Sequence, residues 1–313
     1  MNIVITGATS MIGCAILDEF LNDPHIETVF LVIRDDTIRI SRLPQSSKIV
    51  IVKCDIGNYR SLPFLIHKQC DVFYHIAWGA TGKGRNDNIF KQINNIGYTL
   101  DALYAAKELG CSKFIGAGSQ AEYGVLNTEK IGPNSNVNPI QPYGIAKYAA
   151  GKIAMEESKK IGICCIWVRI FSVYGVYDKP TTMISSTIKK MINNERIALT
   201  KGEQLWDYLY SGDAGKALYL IGVSEKTENK VYCLGSGQCN RIIDYVSVMK
   251  AVTNSKSELG FGEMTYGDNC IMRLCADISE LTKDTGWKPT VSFEQGIRIV
   301  YDYYITNGEQ NVL

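Results

Sequence analysis

The sequence predicts an α/β fold, in which a doubly wound parallel sheet is joined by a smaller, interleaved C-terminal domain. Short runs of Val, Ile and Phe recur through the first half of the chain, and stretches of helical character separate most of them. A glycine-containing turn, Thr6–Gly13, links the first run to the first helix. Strands and helices in repetition indicate parallel strands with right-handed crossovers, and such sheets bind ligands at the carboxyl ends of their strands.

The predicted strands are nearly continuous apolar runs rather than alternating ones, which is typical of strands buried on both faces. In chain order they are Ile3–Thr6, Val29–Ile33, Ile49–Lys53, Val72–Ile76, Lys113–Ala117 and Ile163–Ile170. The helices predicted between them are Ile12–Leu21, Ile89–Leu109 and Ile145–Lys160.

After about Phe171 the loops contain more Gly, Asn and Lys, which indicates a change of domain. The helices predicted in this part are Thr182–Asn193, Asp213–Gly222, Ile242–Thr253 and Phe293–Tyr304. We expect residues 1–171, together with roughly 210–250, to form the sheet domain. Residues 172–209 and 251–313 are expected to form the smaller, substrate-binding domain.

The composition is that of an ordinary folded protein. Of 313 residues, 46% are apolar and 21% are charged, which excludes a disordered chain. The 33 basic and 32 acidic residues give a net charge of +1, so the charge does not point to a nucleic-acid partner. No apolar run approaches the roughly 20 residues of a membrane helix, and the strand-like start of the chain argues against a secretory signal.

The ten cysteines and three histidines lack the spacing of a zinc site, so no metal is expected. A disulfide framework is not expected either, since a chain of this length buries a sizeable core without one. We therefore expect a cytoplasmic protein whose cysteines act as small apolar residues.

The Thr6–Gly13 turn predicts a phosphate-binding loop. Its spacing is Gly-x-x-Ser-x-x-Gly, with Ser10 in place of a middle glycine. A turn at a helix N-terminus aims backbone N–H groups at an anion, and the helix dipole favours negative charge. Gly7 permits the tight turn, and Gly13 permits a close approach of the helix. We therefore expect a dinucleotide here, although an ordinary strand-to-helix turn can have the same spacing.

The residue that ends the second strand usually meets the adenosine ribose. Arg34 comes first, and an arginine pairs with a 2′-phosphate, which favours NADP(H). Asp35 follows and keeps NAD(H) possible, because a carboxylate accepts from a 2′-hydroxyl. Asp55, after the third strand, is placed to bind the adenine amino group, or it caps a helix.

Tyr143 and Lys147 are spaced i and i+4, on one face of a helix that Pro142 begins. A cation one turn away favours the phenolate and lowers the tyrosine pKa from about 10, which suits acid–base chemistry. Ser119, at the end of the fifth strand, can donate to a carbonyl oxygen as negative charge develops there. Taken alone, each of these residues also fits a surface helix or a turn.

These motifs and others follow one another along the chain, and together they are more specific than any one of them. They are Thr6–Gly13, Cys54–Ile56, Tyr74–Ala77, Asn94–Gly97, Ser119–Gly124, Tyr143–Lys147, Arg169–Gly175, Trp206–Asp213, Ala276–Asp277 and Gly286–Pro289. With these motifs the chain resembles, nearly end to end, the extended short-chain dehydrogenase/reductase family in its nucleotide-sugar epimerase, dehydratase and 4-ketoreductase branch.

The resemblance implies an NAD(P)-dependent enzyme with a Rossmann-like domain. Tyr143 would be the general acid/base, Lys147 its pKa partner and ribose ligand, and Ser119 the group that polarises the carbonyl. The residues implied at the cofactor are Gly7, Thr9, Ser10, Met11, Ile12, Gly13, Arg34, Asp55, Ile56, Ala77, Trp78, Asn94, Lys147 and Ile170. Family members usually dimerise through two helices per subunit, here Ile89–Leu109 and Ile145–Lys160, so a homodimer is expected.

Departures from the family narrow the chemistry. Its dehydratases carry an Asp-Glu pair after the serine or threonine, where this chain has Gln120-Ala121, so elimination of water is not expected. Ser172 stands where many epimerases have asparagine, and Trp206 where many relatives have arginine, which alters contacts to the sugar diphosphate. The residues expected at the substrate are Gln120, Ser172, Trp206 and Arg273. For Arg273, a plain surface charge is an equal alternative.

The leading hypothesis is an NADPH-dependent 4-ketoreductase that acts on a nucleotide-linked 4-keto-deoxyhexose. The Ser119–Gly124 run also resembles deoxysugar synthases of lipopolysaccharide pathways. The main alternative is an NAD-dependent nucleotide-sugar 4-epimerase with the same three catalytic residues. A cofactor-binding regulator without catalysis is a third hypothesis, which the intact Ser119, Tyr143 and Lys147 disfavour. The nucleotide, the sugar and the product stereochemistry stay open.

Overall fold

The structure, a computed structural model, describes residues 1–34, 38–82, 84–267 and 270–307. Its strands are β1 (Asn2–Thr6), β2 (Thr28–Ile33), β3 (Ile49–Lys53), β4 (Val72–His75), β5 (Lys113–Ser119), β6 (Cys164–Ile170), β7 (Ser172–Tyr174), β8 (Ile197–Leu199), β9 (Leu205–Trp206), β10 (Tyr208–Tyr210), β11 (Val231–Leu234), β12 (Asn240–Arg241), β13 (Leu259–Phe261) and β14 (Arg273–Leu274). Its α-helices are α1 (Met11–Asn22), α2 (Leu62–Leu65), α3 (Ile89–Glu108), α4 (Pro142–Ile161), α5 (Met183–Ile192), α6 (Ser211–Val223), α7 (Ile242–Thr253), α8 (Ser279–Thr285) and α9 (Phe293–Asn307). Short 3-10 helices span Ile38–Arg42, Ile56–Ser61 and Gln120–Glu122.

A parallel sheet organises the first half of the chain. Its strand order is β3-β2-β1-β4-β5-β6-β11, and each neighbouring pair is parallel. The predicted doubly wound sheet is therefore confirmed. The strand order reverses between β1 and β4, and a crevice for ligands is expected at the carboxyl ends of strands around such a point.

Both faces of the sheet are buried, as the continuous apolar runs predict. On β1, Ile3 and Ile5 belong to a core with α1 and α6, whereas Val4 belongs to the core with α3 and α4 on the other side. Helices α1 and α6 approach closely at Gly215, where a Cβ would lie only 2.4 Å from the carbonyl oxygen of Ala15. The sheet is thus held rigidly between two helical layers.

The predicted strands are all present, and their ends differ from prediction by at most two residues. The largest difference is at β5, which continues past Ala117 to Ser119 and carries that hydroxyl to the edge of the sheet. Strand β11 was not predicted, because Val231–Leu234 is too short a run to distinguish from a loop.

Helices α5, α7 and α9 pack around an apolar cluster separate from the sheet, which includes Ile188, Met249 and Ile297. The predicted domain boundaries are not tested by this packing and stay a prediction. Within the described ranges, no helix has both the length and the apolar character needed to cross a bilayer.

Candidate active site

A cavity of about 1180 Å³ lies at the carboxyl ends of the central strands. Most of the predicted site residues line it. They are Gly7, Thr9, Ser10, Met11, Ile12, Arg34, Asp55, Ile56, Ala77, Trp78, Ser119, Gln120, Tyr143, Lys147, Ile170, Ser172 and Trp206. Gly13, Asn94 and Arg273 are not among the lining residues.

The phosphate loop has the close backbone approaches that its glycines predict. Gly7 has a φ of +73°, and a Cβ there would lie 2.7 Å from the amide nitrogen of Ala77. Gly13 lies below the cavity surface, where a Cβ would meet the Gly7 carbonyl oxygen at 2.4 Å. Ser10 is the N-cap of α1, and its hydroxyl oxygen accepts from the Gly13 amide at 3.1 Å. The hydroxyl proton of Ser10 can still be donated to a ligand.

Three arginines that follow β2 in the chain line the cavity. They are Arg34, Arg39 and Arg42, and Arg42 donates through Nη1 to the carbonyl oxygen of Thr9 at 3.3 Å. Sequence reasoning found Arg34 but missed the other two, which a 3-10 helix brings back to the cavity. Asp35 lies outside the described residues.

Asp55 has the capping role that was one of its two alternatives. It is the N-cap of the 3-10 helix Ile56–Ser61, and its Oδ1 accepts from the Gly57 amide at 3.1 Å. Asp55 also lines the cavity, so its predicted role at the adenine is compatible with the cap.

The predicted catalytic residues come together from two elements. Ser119 ends β5, and Tyr143 and Lys147 lie in the first two turns of α4. Lys147 is only 3% exposed and donates through Nζ to the carbonyl oxygen of Ala117 at 2.6 Å. The same ammonium lies 3.7 Å from the ring centroid of Trp78. Burial lowers the pKa of Lys147 to about 7, against a smaller opposing effect of Glu122.

The expected effect of Lys147 on Tyr143 is wrong in this structure. Burial raises the pKa of Tyr143, while the charge of Arg85 and the Ser119 hydroxyl act in the opposite direction. Arg85 lies over the phenol ring, with its guanidinium carbon 4.5 Å from the ring centroid. Lys147 bonds to Ala117 and lies over Trp78, while the cation that lies over the tyrosine ring comes from another segment.

That segment is the loop of residues 78–88, described except for residue 83, which we call the 78–88 loop. The buried amide of Gln92 on α3 anchors it: Nε2 donates to the carbonyl oxygens of Ala80 and Arg85 at 3.0 and 2.8 Å, and Oε1 accepts from the Trp78 indole at 2.9 Å. At the other end, the Asn86 side chain accepts from the backbone amide of Tyr143 at 3.3 Å. The loop therefore connects α3 to the first turn of α4.

The role predicted for Asn94 belongs to the next residue. Asn94 is exposed, whereas Asn95 is buried and exchanges two hydrogen bonds with the backbone of Gly79, at 2.8 and 3.0 Å. Consecutive helical residues point about 100° apart, so an error of one residue moves a side chain from the loop to solvent. Asn95 therefore holds Gly79 of the 78–88 loop, which forms part of the cavity wall, in place.

Ser119 is fixed by a buried ion pair that sequence reasoning missed. Glu122 is fully buried, and its Oε1 accepts from the Ser119 amide at 2.8 Å while its Oε2 accepts from Arg169 Nε at 2.7 Å. The Ser-x-x-Glu spacing is a capping box, and the structure confirms it at this 3-10 helix. The capping-box pattern was the sequence signal that could have identified Glu122.

Elsewhere in the cavity wall, Trp206 Nε1 donates to the hydroxyl oxygen of Ser172 at 2.7 Å. The two residues that depart from the family pattern are thus partners of one another. Gln120 presents a buried amide oxygen that, within the described part of the chain, accepts no hydrogen bond. Lys179 also lines the cavity and donates to the carbonyl oxygen and hydroxyl of Thr81 at 2.6 and 2.9 Å.

Arg273 does not reach this wall. It lies in β14, which pairs with β9 in a small separate sheet, and it is not a lining residue. This position agrees with a plain surface charge, the equal alternative for Arg273, and its contact with the diphosphate stays a prediction. The basic side chains that line the cavity in the described residues are those of Arg34, Arg39, Arg42, Arg85, Lys147 and Lys179.

Comparisons with known proteins agree with this geometry. The NAD dependent epimerase/dehydratase family matches residues 3–235. A Methanocaldococcus jannaschii protein described as a putative UDP-glucose 4-epimerase is 25% identical, over 97% of this chain and 99% of that protein.

Two solved structures have the same fold. UDP-glucose 4-epimerase from Thermotoga maritima, solved with UDP-glucose, superposes with a TM-score of 0.84 at 22% identity, over 98% of this chain and 99% of that chain. UDP-glucuronic acid 4-epimerase from Bacillus cereus, in complex with NAD, superposes with a TM-score of 0.85 at 22% identity, over 99% of this chain and all of that chain.

Proposed function

The chain belongs to the NAD dependent epimerase/dehydratase family, and from this premise we propose that it is a nucleotide-sugar 4-ketoreductase that uses NADPH. It is an enzyme of the extended short-chain dehydrogenase type, and its relatives act on nucleotide sugars. The observation that carries the finer proposal is that the three arginines following β2 in the chain, Arg34, Arg39 and Arg42, line the same cavity as the predicted catalytic residues.

A dinucleotide fits the phosphate loop. Because Gly7 and Gly13 have no Cβ, their backbone packs directly against Ala77 and against Gly7, respectively. The first residues of α1 line the cavity, and the first amides of a helix have no intrahelical partners. We propose that Met11 and Ile12 hold the pyrophosphate through these amides and that Lys147 holds the nicotinamide ribose. When bound, the cofactor supplies the hydride.

The arginines support NADPH rather than NADH. Arg34, Arg39 and Arg42 line the side of the cavity where an adenosine ribose is expected, and guanidinium groups match a 2′-phosphate. The Bacillus cereus neighbour binds NAD, so this preference would distinguish the chain from that protein.

At the sugar, Tyr143 is proposed to give its proton to the C4 carbonyl oxygen while Ser119 donates a hydrogen bond to the same oxygen. A general acid must hold its proton at working pH. The raised pKa of Tyr143 meets this requirement, because the phenol stays neutral near pH 7. The buried Glu122 fixes the Ser119 backbone and so limits how far the hydroxyl can move.

Dehydration is disfavoured by the residues that follow Ser119. Gln120 and Ala121 have no titratable group with which to remove or add a proton during loss of water. The nearest carboxylate in sequence, Glu122, is fully buried and paired with Arg169. The unpaired amide oxygen of Gln120 instead suits a hydroxyl group of the substrate.

The nucleotide part of the substrate is proposed to lie against Trp206. Its indole is held by Ser172 and its carbonyl oxygen by the Tyr245 hydroxyl at 2.8 Å, so the ring has a fixed orientation in the cavity wall. An aromatic face of this kind suits stacking of a base.

A homodimer through α3 and α4 is proposed from their outer faces. Several large apolar side chains are exposed there in the single chain, which is unusual for a surface that stays in water. They are Ile89, Phe90, Ile93, Ile145 and Ile153. The cytoplasmic location expected from the sequence stays a prediction.

The second candidate is a nucleotide-sugar 4-epimerase. The Methanocaldococcus relative and the Thermotoga structure both carry that name, and the same tyrosine, lysine and serine would serve it. An epimerase keeps its cofactor and shows no net redox change, whereas a ketoreductase consumes NADPH.

Oxidation of NADPH and of NADH by the purified protein with nucleotide-linked 4-keto sugars tests the proposal. We expect turnover with NADPH, and Arg34→Gln should raise the KM for NADPH about tenfold, or about 1.4 kcal/mol, with little change for NADH. Arg241→Gln is the matched control, since this exposed arginine pairs with Asp244 away from the cavity. Tightly bound NAD released on denaturation, without net NADPH oxidation, would favour the epimerase.

A further inference from the structure

Arg85 and Tyr143 form a contact that the proposed function does not explain. The guanidinium carbon of Arg85 lies 4.5 Å from the centroid of the phenol ring, and both residues line the cavity. A cation over a tyrosine face is attracted to the neutral ring, and it is attracted far more strongly to a phenolate, which has a full negative charge.

We propose that Arg85 is the permanent cation of the acid–base site, whose guanidinium stabilises the Tyr143 phenolate that is left when the phenol gives its proton to the substrate. This inference rests on the proposed role of Tyr143 as general acid. It assigns to the 78–88 loop a function in the reaction besides forming the cavity wall.

The placement of Arg85 is built into the fold on both sides. Its carbonyl oxygen accepts from Gln92, which is 1% exposed and also holds the carbonyl oxygen of Ala80. The neighbouring Asn86 accepts from the backbone amide of Tyr143 itself, so the loop and the tyrosine are tied directly to one another. Rotation of the long Arg85 side chain is the main remaining freedom.

The other charged groups around Tyr143 are less suited to this role. From α4, Lys147 donates to the carbonyl oxygen of Ala117 and lies over Trp78, and burial lowers its pKa. From the 3-10 helix after β5, Glu122 is an anion that opposes the phenolate, although Arg169 pairs with it. From β5, Ser119 contributes a neutral hydroxyl.

Arg85 differs from these groups in two respects. A guanidinium stays protonated throughout the physiological pH range. In addition, no carboxylate among the described residues forms an ion pair with Arg85, so its charge is available to the tyrosine.

The step balances without a further reactant. The Tyr143 O–H bond would break and its proton would pass to the carbonyl oxygen. NADPH, when bound, would supply the hydride to the carbonyl carbon, so that the products would be the alcohol and NADP⁺. The electron pair of the broken bond stays on Tyr143 as a phenolate, over whose ring the Arg85 guanidinium lies. Solvent then returns a proton to the phenolate.

Direct titration of Tyr143 in the cofactor-free protein tests the inference without any assay of activity. The difference in tyrosinate absorbance between each protein and its Tyr143→Phe counterpart isolates this one phenol. Arg85→Gln should raise the titration midpoint by about one pH unit, because a neighbouring opposite charge is lost, and Arg85→Lys should leave it nearly unchanged.

Lys91→Gln is the matched control, since Lys91 is an exposed cation on α3 that does not line the cavity. An unchanged midpoint in Arg85→Gln, or an equal rise in Lys91→Gln, overturns the inference. Arg85 is exposed, so its replacement is not expected to prevent folding.

The pH profile of kcat/KM then separates this inference from the proposed function. A general acid must be protonated, so kcat/KM falls at pH values above its pKa. Arg85→Gln should shift this alkaline fall of kcat/KM upward by about one pH unit, as in the titration, and it should also lower kcat. If the titration midpoint of Tyr143 moved while the alkaline fall of kcat/KM stayed in place, a role of Arg85 in the reaction would be contradicted. Absence of NADPH turnover in the wild-type protein would overturn the proposed function, while the titration would still decide the electrostatic contact.

Discussion

The part of the cavity proposed to bind the cofactor, the cofactor wall, is formed mainly by eight consecutive residues, Thr6–Gly13. The part proposed to bind the substrate, the substrate wall, is assembled from side chains far apart in the chain. We define the substrate wall as the 78–88 loop with Ser172, Lys179 and Trp206. Trp206 reaches Ser172 across 34 positions of sequence, and Lys179 reaches Thr81 across 98.

The two walls also differ in the kind of atoms that they present. The cofactor wall presents backbone amides. Close contacts, such as that between Gly13 and the Gly7 carbonyl oxygen, leave no room for a Cβ and so require glycine. The substrate wall presents side chains instead: the Trp206 indole bonded to Ser172, the Lys179 ammonium bonded to Thr81, and the Arg85 guanidinium over the Tyr143 ring. A backbone site can accept the same cofactor in many relatives, while a side-chain site can change its substrate through a few substitutions.

Tyr143→Phe is expected to have the largest effect and to separate the two walls most clearly. Loss of the acid should lower kcat about 10³-fold, because proton transfer by a positioned group contributes on the order of 10² to 10⁴. Cofactor binding should be retained, since the phosphate loop does not depend on the phenol hydroxyl. Steady-state kinetics and a cofactor titration measure the two quantities.

Tyr148→Phe is the matched control for this variant, because Tyr148 lies on the same helix without lining the cavity. If Tyr143→Phe retained full activity in every assay, Tyr143 would not be the acid. The hypothesis of a cofactor-binding regulator without catalysis would then gain support.

Gly13→Ala is expected to affect the cofactor wall alone. The added Cβ would meet the carbonyl oxygens of Gly7 and Ala8 at 2.4 and 2.7 Å, so the loop must shift. We expect a loss of about 1–3 kcal/mol in the free energy of unfolding, together with weaker cofactor binding. Urea denaturation and cofactor titration check both effects.

Gly82→Ala provides the contrast in the substrate wall. A Cβ there has no neighbour within 4 Å among the described residues, so stability and cofactor affinity should stay close to those of the wild type. Equal losses in the two variants would show that the cofactor wall is not specially constrained by backbone contacts.

The backbone of the cofactor wall could be predicted from the sequence because most of its determinants are local. Gly7, Ser10 and the helix start can be read within one turn, and the sheet follows from the period of apolar residues. The catalytic set of Ser119, Tyr143 and Lys147 was likewise placed in one cavity by motifs at strand ends and along one helix face.

The substrate wall was predicted poorly because its determinants are tertiary contacts. Neither Arg85 nor Gln92 stands in a motif, and only the folded chain brings them to Tyr143 and Trp78. The error of one residue between Asn94 and Asn95 arose because a helical face cannot be fixed from the sequence pattern of a partly polar helix. The predicted direction of the Tyr143 pKa shift was wrong, because burial of the phenol outweighs the nearby positive charge and cannot be read from the spacing of Tyr143 and Lys147.

Lys147 lies where the two walls meet, and it gives the smallest expected effect, a pH dependence of stability. Its pKa is about 7 in the folded protein, and about 10.4 in an unfolded chain, so between these values only the unfolded state holds the proton. Stability should therefore rise with pH above 7, by about 1 kcal/mol between pH 7 and pH 8 in the cofactor-free protein. Below pH 7 both states are protonated, so Lys147 adds no slope there.

Lys147→Met isolates this contribution, because the other buried titrating groups are common to both proteins. Urea denaturation at pH 7 and pH 8 should give a smaller increase in stability for the variant than for the wild type. Equal increases would mean that Lys147 stays charged when folded, paired with the carbonyl oxygen of Ala117 and the face of Trp78. In that case Trp78, which belongs to the substrate wall, would stabilise the charged form of Lys147, which is proposed to hold the nicotinamide ribose. Cofactor binding would then depend on a residue of the substrate wall.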